Sequence, residues 1–338
     1  MESFVPLWYV QHEAPLPVLI AVYLFLAGIS AGLFLISTSS TVFGWQKVKP
    51  LARPAAAMAL AFMVPAPLAL LIDLGKPMRF INLFINFNPT SAISWGTWIL
   101  ALYGLTAVVY TYLLWRGEKA ARTWGAAGSL FAVGLAVYTG MLLALVTARP
   151  LWNSALIPVL FVVSALASGI ALATIAARWA PRLTAMPAEA GELLHTLKTW
   201  LIGAEVVMLS LHFLLLAAGN AAGQATVAHF LAGPRQATFL WVQVVLGLLL
   251  PLVLLLVPSV RHSDTLASLP AVLSIVGVFF LRYNFVVGGG EVPLTSHLVN
   301  HSAAPASEWI ITGALIALGL VLVAAVPAAL RRFVASKA

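Results

Sequence analysis

Nine long apolar stretches run through this sequence, and each is about as long as the ~20 helical residues that cross a bilayer. They cover residues 17–43, 54–73, 93–115, 124–147, 155–178, 194–218, 237–257, 265–287 and 308–330. Only 8% of the 338 residues are charged and 62% are hydrophobic, whereas soluble domains have roughly 25% and 45–50%. The sequence therefore predicts an all-α polytopic membrane protein with nine transmembrane helices, and it excludes soluble and disordered chains.

The absence of cysteine limits the redox chemistry that the protein can hold by itself. It excludes an iron–sulfur cluster, a thiolate zinc site and a covalently attached c-type haem. A bis-histidine haem needs two histidines at membrane depth on facing helices, and only His212 is placed in that way. His297 and His301 are four residues apart but have no convincing third ligand. We therefore expect no haem, no iron–sulfur cluster and no metal in this protein, and the basic residues do not indicate nucleic-acid binding.

The distribution of lysine and arginine predicts the orientation of the spans. Most of the eighteen basic residues fall in the loops reached after the odd-numbered spans, and cytoplasmic loops carry such an excess. The other side holds Lys76, Arg79, Arg149, Arg235 and Arg282. We therefore expect residues 1–16 to form an outer-side segment and the C-terminus to be cytoplasmic. Residues 1–16 contain two glutamates and no basic residue, which is unlike a cleavable signal peptide.

Polar residues near the outer ends of the early spans are candidates for a functional site. Asp73 ends the second span and precedes Lys76 and Arg79, a pattern typical of either a surface ion pair or a proton-exchanging carboxylate. Tyr23 lies near the outer end of the first span. A tyrosine there is either an interfacial residue or one whose hydroxyl points into a polar cavity. Tyr138 lies deeper in the fourth span, where a buried hydroxyl needs a hydrogen-bond partner.

The sixth span has the clearest polarity within the membrane. Lys198, Glu205 and His212 are spaced by seven residues, which is nearly two helical turns, so they form one stripe. A charge at the depth of Glu205 costs roughly 2.5–3.5 kcal/mol, and such residues face protein or water. Two interpretations remain open: a path for protons, and a neutral glutamic acid that is hydrogen-bonded inside a helix bundle.

Two glycine patterns lead to further structural predictions. Gly28 and Gly32 form a small-xxx-small face in the first span, which is typical of closely packed helices. The run from Gly288 to Gly290 follows the eighth span and predicts a close turn at the outer surface. Pro251 and Pro258 predict that the seventh span, 237–257, ends early.

Four segments together resemble the membrane subunit of polysulfide reductase and formate-dependent nitrite reductase complexes. They are 21–32 (AVYLFLAGISAG), 73–80 (DLGKPMRF), 88–96 (NPTSAISWG) and 282–293 (RYNFVVGGGEVP). The resemblance implies an integral quinol-binding subunit in the cytoplasmic membrane of a bacterium or archaeon. It implies bound menaquinone or ubiquinone, and a ferredoxin-like iron–sulfur partner at the outer face joined to a molybdopterin or multihaem catalytic subunit.

The same resemblance implies an arrangement of helices and a set of site residues. Two four-helix bundles would span 17–147 and 155–287, with 308–330 as an added ninth helix. The first bundle would hold the quinone near its outer side. In the polysulfide reductase branch, a histidine of the first span and a tyrosine of the fourth contact the quinone. Tyr23 stands at that histidine position, Tyr138 matches the tyrosine, and Asp73 would exchange the protons. Supporting or partner-contact residues would be Lys76, Arg79, His12, Asn88 and Trp152.

Two other functions remain open at this point. A proton-coupled transporter would use Glu205 and His212 as its relay. A passive membrane anchor would tether an enzyme and bind no quinone. The sequence contains no complete active site for a terminal substrate, so whether the protein is itself an enzyme is open.

Overall fold

The computed structural model describes residues 16–75, 78, 80–179, 187–261, 268–292 and 305–335, and no strand occurs within these ranges. The α-helices are α1 (Val18–Thr41), α2 (Ala52–Met63), α3 (Pro65–Asp73), α4 (Phe80–Ile85), α5 (Ala92–Arg116), α6 (Ala121–Ala144), α7 (Leu156–Trp179), α8 (Ala188–Ala217), α9 (Ala221–Leu231), α10 (Leu250–Leu256), α11 (Pro258–Arg261), α12 (Leu269–Tyr283), α13 (Gly289–Glu291) and α14 (Ala306–Ala335). A 3₁₀ helix (Gln46–Leu51) precedes α2, and π-helices Ala237–Leu249 and Asn284–Gly288 precede α10 and α13.

The described residues contain nine helical segments that are long and apolar enough to cross a membrane, which confirms the predicted number of spans. The second segment consists of the 3₁₀ helix, α2 and α3, with a break at Val64 where Pro65 starts a new helix. Proline has no amide hydrogen to donate, so the helical hydrogen bonding is interrupted there.

The seventh span has nearly its predicted bounds, 237–257, but Pro251 does not end it early. The π-helix Ala237–Leu249 continues directly into α10, and Pro251 occupies the first turn of α10. A proline is tolerated in the first turn of a helix because its missing amide hydrogen would be unpaired there anyway. The span therefore reaches Leu256.

The prediction of a turn at Gly288–Gly290 was also wrong. These residues continue the eighth span as the end of a π-helix and the start of α13, and none of them has a positive φ angle. A Cβ atom at Gly288 would lie 2.9 Å from the Phe230 ring, and one at Gly289 would overlap the Trp152 indole. The glycines therefore allow aromatic side chains to pack against the helix backbone.

Helix α1 lies at the centre of the molecule and α14 at its edge. In the most apolar 18-residue window of each helix, 89% of α1 is buried but only 17% of α14. Helix α1 contacts α2, α3, α6, α7 and α12, whereas α14 packs mainly on α2 and α3. The predicted close packing at Gly32 is present, because its backbone lies against Ala165 and Gly169 of α7.

Candidate functional site

Two buried tyrosines lie at the N-terminal end of α1 and near the C-terminal end of α6. Tyr23 is 2% exposed and Tyr138 is 8% exposed, and the two phenols interact electrostatically. The Tyr138 ring lies against α5 at Gly96, where any Cβ atom would overlap it. Neither hydroxyl forms a hydrogen bond with another residue in the described part of the protein.

Two other tyrosines in the same group of helices show the usual behaviour of a buried phenol. The Tyr103 hydroxyl lies 2.8 Å from Ser30 Oγ, and the Tyr110 hydroxyl lies 2.8 Å from Ser37 Oγ. Buried phenols normally have such a partner. The unpartnered hydroxyls of Tyr23 and Tyr138 therefore indicate a place where an external polar group can bind.

Two carboxylates lie near the same end of α1. Asp73 is the last residue of α3, it is partly exposed, and it interacts electrostatically with Glu308 in the first turn of α14. Glu308 Oε2 accepts a hydrogen bond from the backbone N–H of Val18, at 3.0 Å. Glu308 was not among the residues predicted for the site. The one indication in the sequence was an acidic residue in the first turn of the ninth span.

The remaining residues predicted for this site are only partly described. Lys76, Arg79 and His12 lie outside the described residues. Asn88 Oδ1 accepts hydrogen bonds from the backbone N–H and the hydroxyl of Thr90, at 3.0 and 2.8 Å, so it shapes the turn before α5. The buried Trp152 indole donates to the carbonyl oxygen of Phe285 at 2.5 Å, which attaches the α6–α7 connection to the end of the eighth span.

A second polar region lies along α8. Lys198, Glu205 and His212 are 2%, 1% and 2% exposed, so the predicted stripe is a buried face. His212 Nε2 lies 3.0 Å from the carbonyl oxygen of Leu151. Both carboxylate oxygens of Glu205 lack a hydrogen-bond partner among the described residues. No group of three histidine, aspartate or glutamate side chains in the described ranges is arranged to hold a metal ion.

Arg282 lies inside the protein, so the prediction that it lies on the outer side of the membrane was wrong. It lies inside α12, is 1% exposed and interacts electrostatically with Glu205. Its Nη2 donates to the Phe161 carbonyl oxygen at 3.1 Å and to Ser164 Oγ at 2.7 Å, and its guanidinium stacks 3.6 Å above the Phe161 ring centre. These contacts with α7 stabilise a cation inside the protein. Lys198 lies within a span, as the sequence predicted.

Comparison with known proteins identifies the family. The family described as Polysulphide reductase, NrfD matches residues 10–293. This protein belongs to that NrfD family. Three relatives are similar over most of their length.

The Archaeoglobus fulgidus "Hdr-like menaquinol oxidoreductase integral membrane subunit" is 28% identical over 275 residues, which cover 79% of the present sequence and 68% of the relative. A polysulfide reductase component from Wolinella succinogenes is 29% identical over 300 residues, which cover 80% of the present sequence and 92% of the relative. The Escherichia coli "Protein NrfD" is 28% identical over 305 residues, which cover 81% of the present sequence and 94% of the relative. The resemblance noted from the four segments is thus confirmed, and this NrfD-family member is an integral multi-pass membrane protein.

Sequence reasoning also missed a buried ionic cluster in this NrfD-family member. Arg235 Nε donates to Glu291 Oε2 at 2.6 Å, Arg235 Nη2 donates to Glu291 Oε1, and His229 Nε2 lies 3.3 Å from Oε2. All three side chains are buried. Burial disfavours the charged guanidinium, but the hydrogen bonds to Glu291 prevail and raise the pKa of Arg235. The three residues are up to 62 positions apart, and no local spacing pattern relates them.

We expect Arg235→Met to lower the free energy of unfolding by about 3–5 kcal/mol, because it leaves the buried Glu291 carboxylate without its cation. Denaturant-induced unfolding of the purified protein in detergent measures this loss. The double variant R235M/E291M should lose less than R235M, because no unpaired charge remains. Arg331→Met, which removes an arginine at the exposed end of α14, is the control. Wild-type stability of R235M would show that the cluster is energetically neutral.

Proposed function

We propose that this protein is the quinol-binding subunit of a respiratory oxidoreductase complex and exchanges electrons between the membrane quinone pool and an iron–sulfur partner. The observation that carries this proposal is the pair of buried residues Tyr23 and Tyr138, whose hydroxyls have no hydrogen-bond partner among the described residues. A phenol hydroxyl can donate a hydrogen bond to a quinone carbonyl or accept one from a quinol. The name of the Archaeoglobus relative, a menaquinol oxidoreductase subunit, supports a quinone as the ligand, and we propose menaquinone or ubiquinone.

The residues proposed for this site have separate tasks. A quinol supplies two electrons and two protons when it is oxidised. Tyr23 and Tyr138 would hold and orient its oxygen atoms, while Asp73 at the end of α3 would take up the released protons. Glu308 lies within electrostatic range of Asp73 and offers a second carboxylate at the same end of the bundle. Lys76 and Arg79 would either tune Asp73 or contact the partner subunit.

The composition and the family support the proposed partners and location. The sequence has no cysteine, so electrons must pass to a cluster or haem held elsewhere. We propose a ferredoxin-like iron–sulfur subunit at the outer face, joined to a molybdopterin or multihaem catalytic subunit. The distribution of basic residues supports an outer N-terminus and a cytoplasmic C-terminus in the cytoplasmic membrane of a bacterium or archaeon. Residues 17–147 would form the quinone-binding bundle and 155–287 the second bundle.

Quinone retention tests the binding site directly. We expect the wild-type protein, purified in mild detergent, to retain quinone, and Tyr23→Phe/Tyr138→Phe to retain about tenfold less because two hydrogen bonds to the ligand are lost. Lipid extraction followed by mass spectrometry measures the quinone bound per protein molecule. Tyr103→Phe is the matched control, because the hydroxyl it removes already binds Ser30.

Two outcomes would contradict the proposal. Wild-type protein that carries no quinone and does not bind added quinone would favour the passive anchor. Equal retention by the double variant and by Y103F would remove the two phenols from the site. Substrate uptake by liposomes that contain this protein alone would instead favour a proton-coupled transporter.

The stripe on α8 has a proposed role within the same function. Lys198, Glu205 and His212 would carry protons between the two membrane surfaces. The buried carboxylate of Glu205, with no hydrogen-bond partner among the described residues, supports this role, because it has no structural bond that protonation would break. The nearby Arg282 would stabilise the charged form of Glu205 whenever the proton leaves.

A further inference from the structure

A cavity of about 620 Å³ opens at the end of the molecule opposite Tyr23. It lies between the C-terminal ends of α1 and α5 and the N-terminal ends of α2 and α6. Four basic side chains line it: Lys49 and Arg53 on the α2 side, and Lys119 and Arg122 on the α6 side. The cavity therefore has cations on two walls, contributed by separate turns of the polypeptide.

The described residues balance only part of the positive charge of this cavity. Lys49, Lys119 and Arg122 form no ion pair within the described residues. Arg53 Nε donates to the Leu114 carbonyl oxygen at 3.3 Å, which fixes its guanidinium at the cavity wall but supplies no negative charge. Among the residues that line the cavity, Glu118 is the single acid. Its Oε1 forms an ion pair with Nη2 of Arg116, which does not line the cavity, at 3.6 Å. An anion is therefore the complementary ligand.

The surroundings of the cavity place it at the level of lipid headgroups. Three exposed aromatic side chains lie within a few residues of its lining: Phe43 is 62% exposed, Trp45 48% and Trp124 37%. Exposed aromatic residues at the ends of membrane spans mark the membrane–water interface. Further along α5, Leu105 and Val108 are 56% and 55% exposed and offer an apolar surface for acyl chains.

We propose that this cavity binds the phosphate headgroup of an anionic phospholipid. Basic pockets between transmembrane helices at a membrane surface suit such headgroups, because Lys and Arg bind the phosphate while the adjacent helix faces contact the acyl chains. The pairs Lys49/Arg53 and Lys119/Arg122 line the same cavity, so both can bind one phosphate. A bound headgroup would connect the α1–α2 and α5–α6 turns at the surface opposite the proposed quinone site.

Lipid binding to matched charge variants tests the proposal. Lys49→Gln/Arg122→Gln removes one cation from each wall and leaves the Arg53 hydrogen bond in place. We expect the affinity for phosphatidylglycerol to fall about fivefold per cation removed, hence about 25-fold in the double variant. Lys47→Gln/Arg331→Gln removes the same charge from positions that do not line the cavity, and it should bind like wild type. Lipid titration in detergent, followed by native mass spectrometry and by the shift in Tm, measures the affinity.

Three comparisons decide between the possible ligands. Phosphatidylcholine should raise the Tm of the wild-type protein much less than phosphatidylglycerol does, because it carries no net charge. Inorganic phosphate at equal concentration should have no effect if the acyl chains contribute. A response to phosphate as large as that to the lipid would instead assign the cavity to a soluble anion and overturn the lipid proposal. Equal binding by K49Q/R122Q and K47Q/R331Q would also overturn it, and the single variants K49Q and R122Q give the same comparison if the double variant does not fold.

Discussion

Glu205→Gln is expected to abolish quinol-driven proton movement across the membrane while quinol oxidation continues at nearly the wild-type rate. From Lys198 to His212 the stripe on α8 covers about 21 Å along the helix axis, at 1.5 Å per residue. That is about two thirds of a hydrocarbon core of ~30 Å. Glu205 is the midpoint of the stripe and is 1% exposed. Glutamine preserves the shape of the side chain but can neither take up nor release a proton at neutral pH.

This experiment requires the intact complex in liposomes, with quinol added and a pH-sensitive dye enclosed. Glu189→Gln is the matched control, because it removes an exposed acid from the first turn of the same helix. We expect E189Q to move as many protons per quinol as the wild-type complex. The same result for E205Q would show that Glu205 is a neutral, structural residue of the bundle, which is the other interpretation of the stripe.

The number and positions of the spans were predictable from the sequence, because the physical signal for a span is local. Each span is a continuous apolar stretch, and the cost of exposing a helix backbone or a charge to lipid sets its length. The stripe on α8 was predictable for the same reason, since a spacing of seven residues determines a shared helix face without reference to any other helix. The close contact at Gly32 followed from the small-xxx-small pattern.

The positions of Arg282 and Arg235 were not predictable from the sequence, because their partners are distant along it. Arg282 lies near the end of an apolar stretch, and the local sequence there does not distinguish a loop position from a buried one. Its actual place depends on the Phe161 carbonyl oxygen and Ser164 hydroxyl, 118 or more residues away. Glu291 likewise accepts a hydrogen bond from Arg235, which is 56 residues away in the sequence. Long-range polar contacts of this kind carry no periodic signal in one sequence.

The glycines at the end of the eighth span illustrate another limit. Gly288–Gly290 are compatible with a turn because glycine adopts unusual φ angles, but they are equally compatible with a helix whose surface must be flat. The ring of Phe230 and the indole of Trp152 decide between these possibilities, and both come from distant parts of the sequence. Local propensity alone therefore selected the wrong alternative.

We expect Asp73→Asn to lower the rate of quinol-linked turnover at least about 100-fold while the complex still assembles, since a positioned proton acceptor contributes about 10²–10⁴-fold. Asparagine has nearly the same shape as aspartate but does not accept a proton at neutral pH. Asp73 is partly exposed at the end of α3, so the substitution removes no buried packing. Turnover of the purified complex with a soluble quinol analogue gives the rate, and co-purification of the partner subunits reports assembly.

Two further variants separate the role of Asp73 from a general effect of charge. Glu118→Gln removes an acid at the opposite end of the molecule and should leave turnover unchanged. Glu308→Gln keeps a side-chain oxygen that can accept from the Val18 N–H, so it should also turn over normally if Glu308 serves only to hold α1 against α14. A loss in E308Q as large as that in D73N would mean that the two carboxylates exchange protons together. Wild-type turnover of D73N would remove Asp73 from the mechanism, and the protons would have to leave the tyrosine pair by another route.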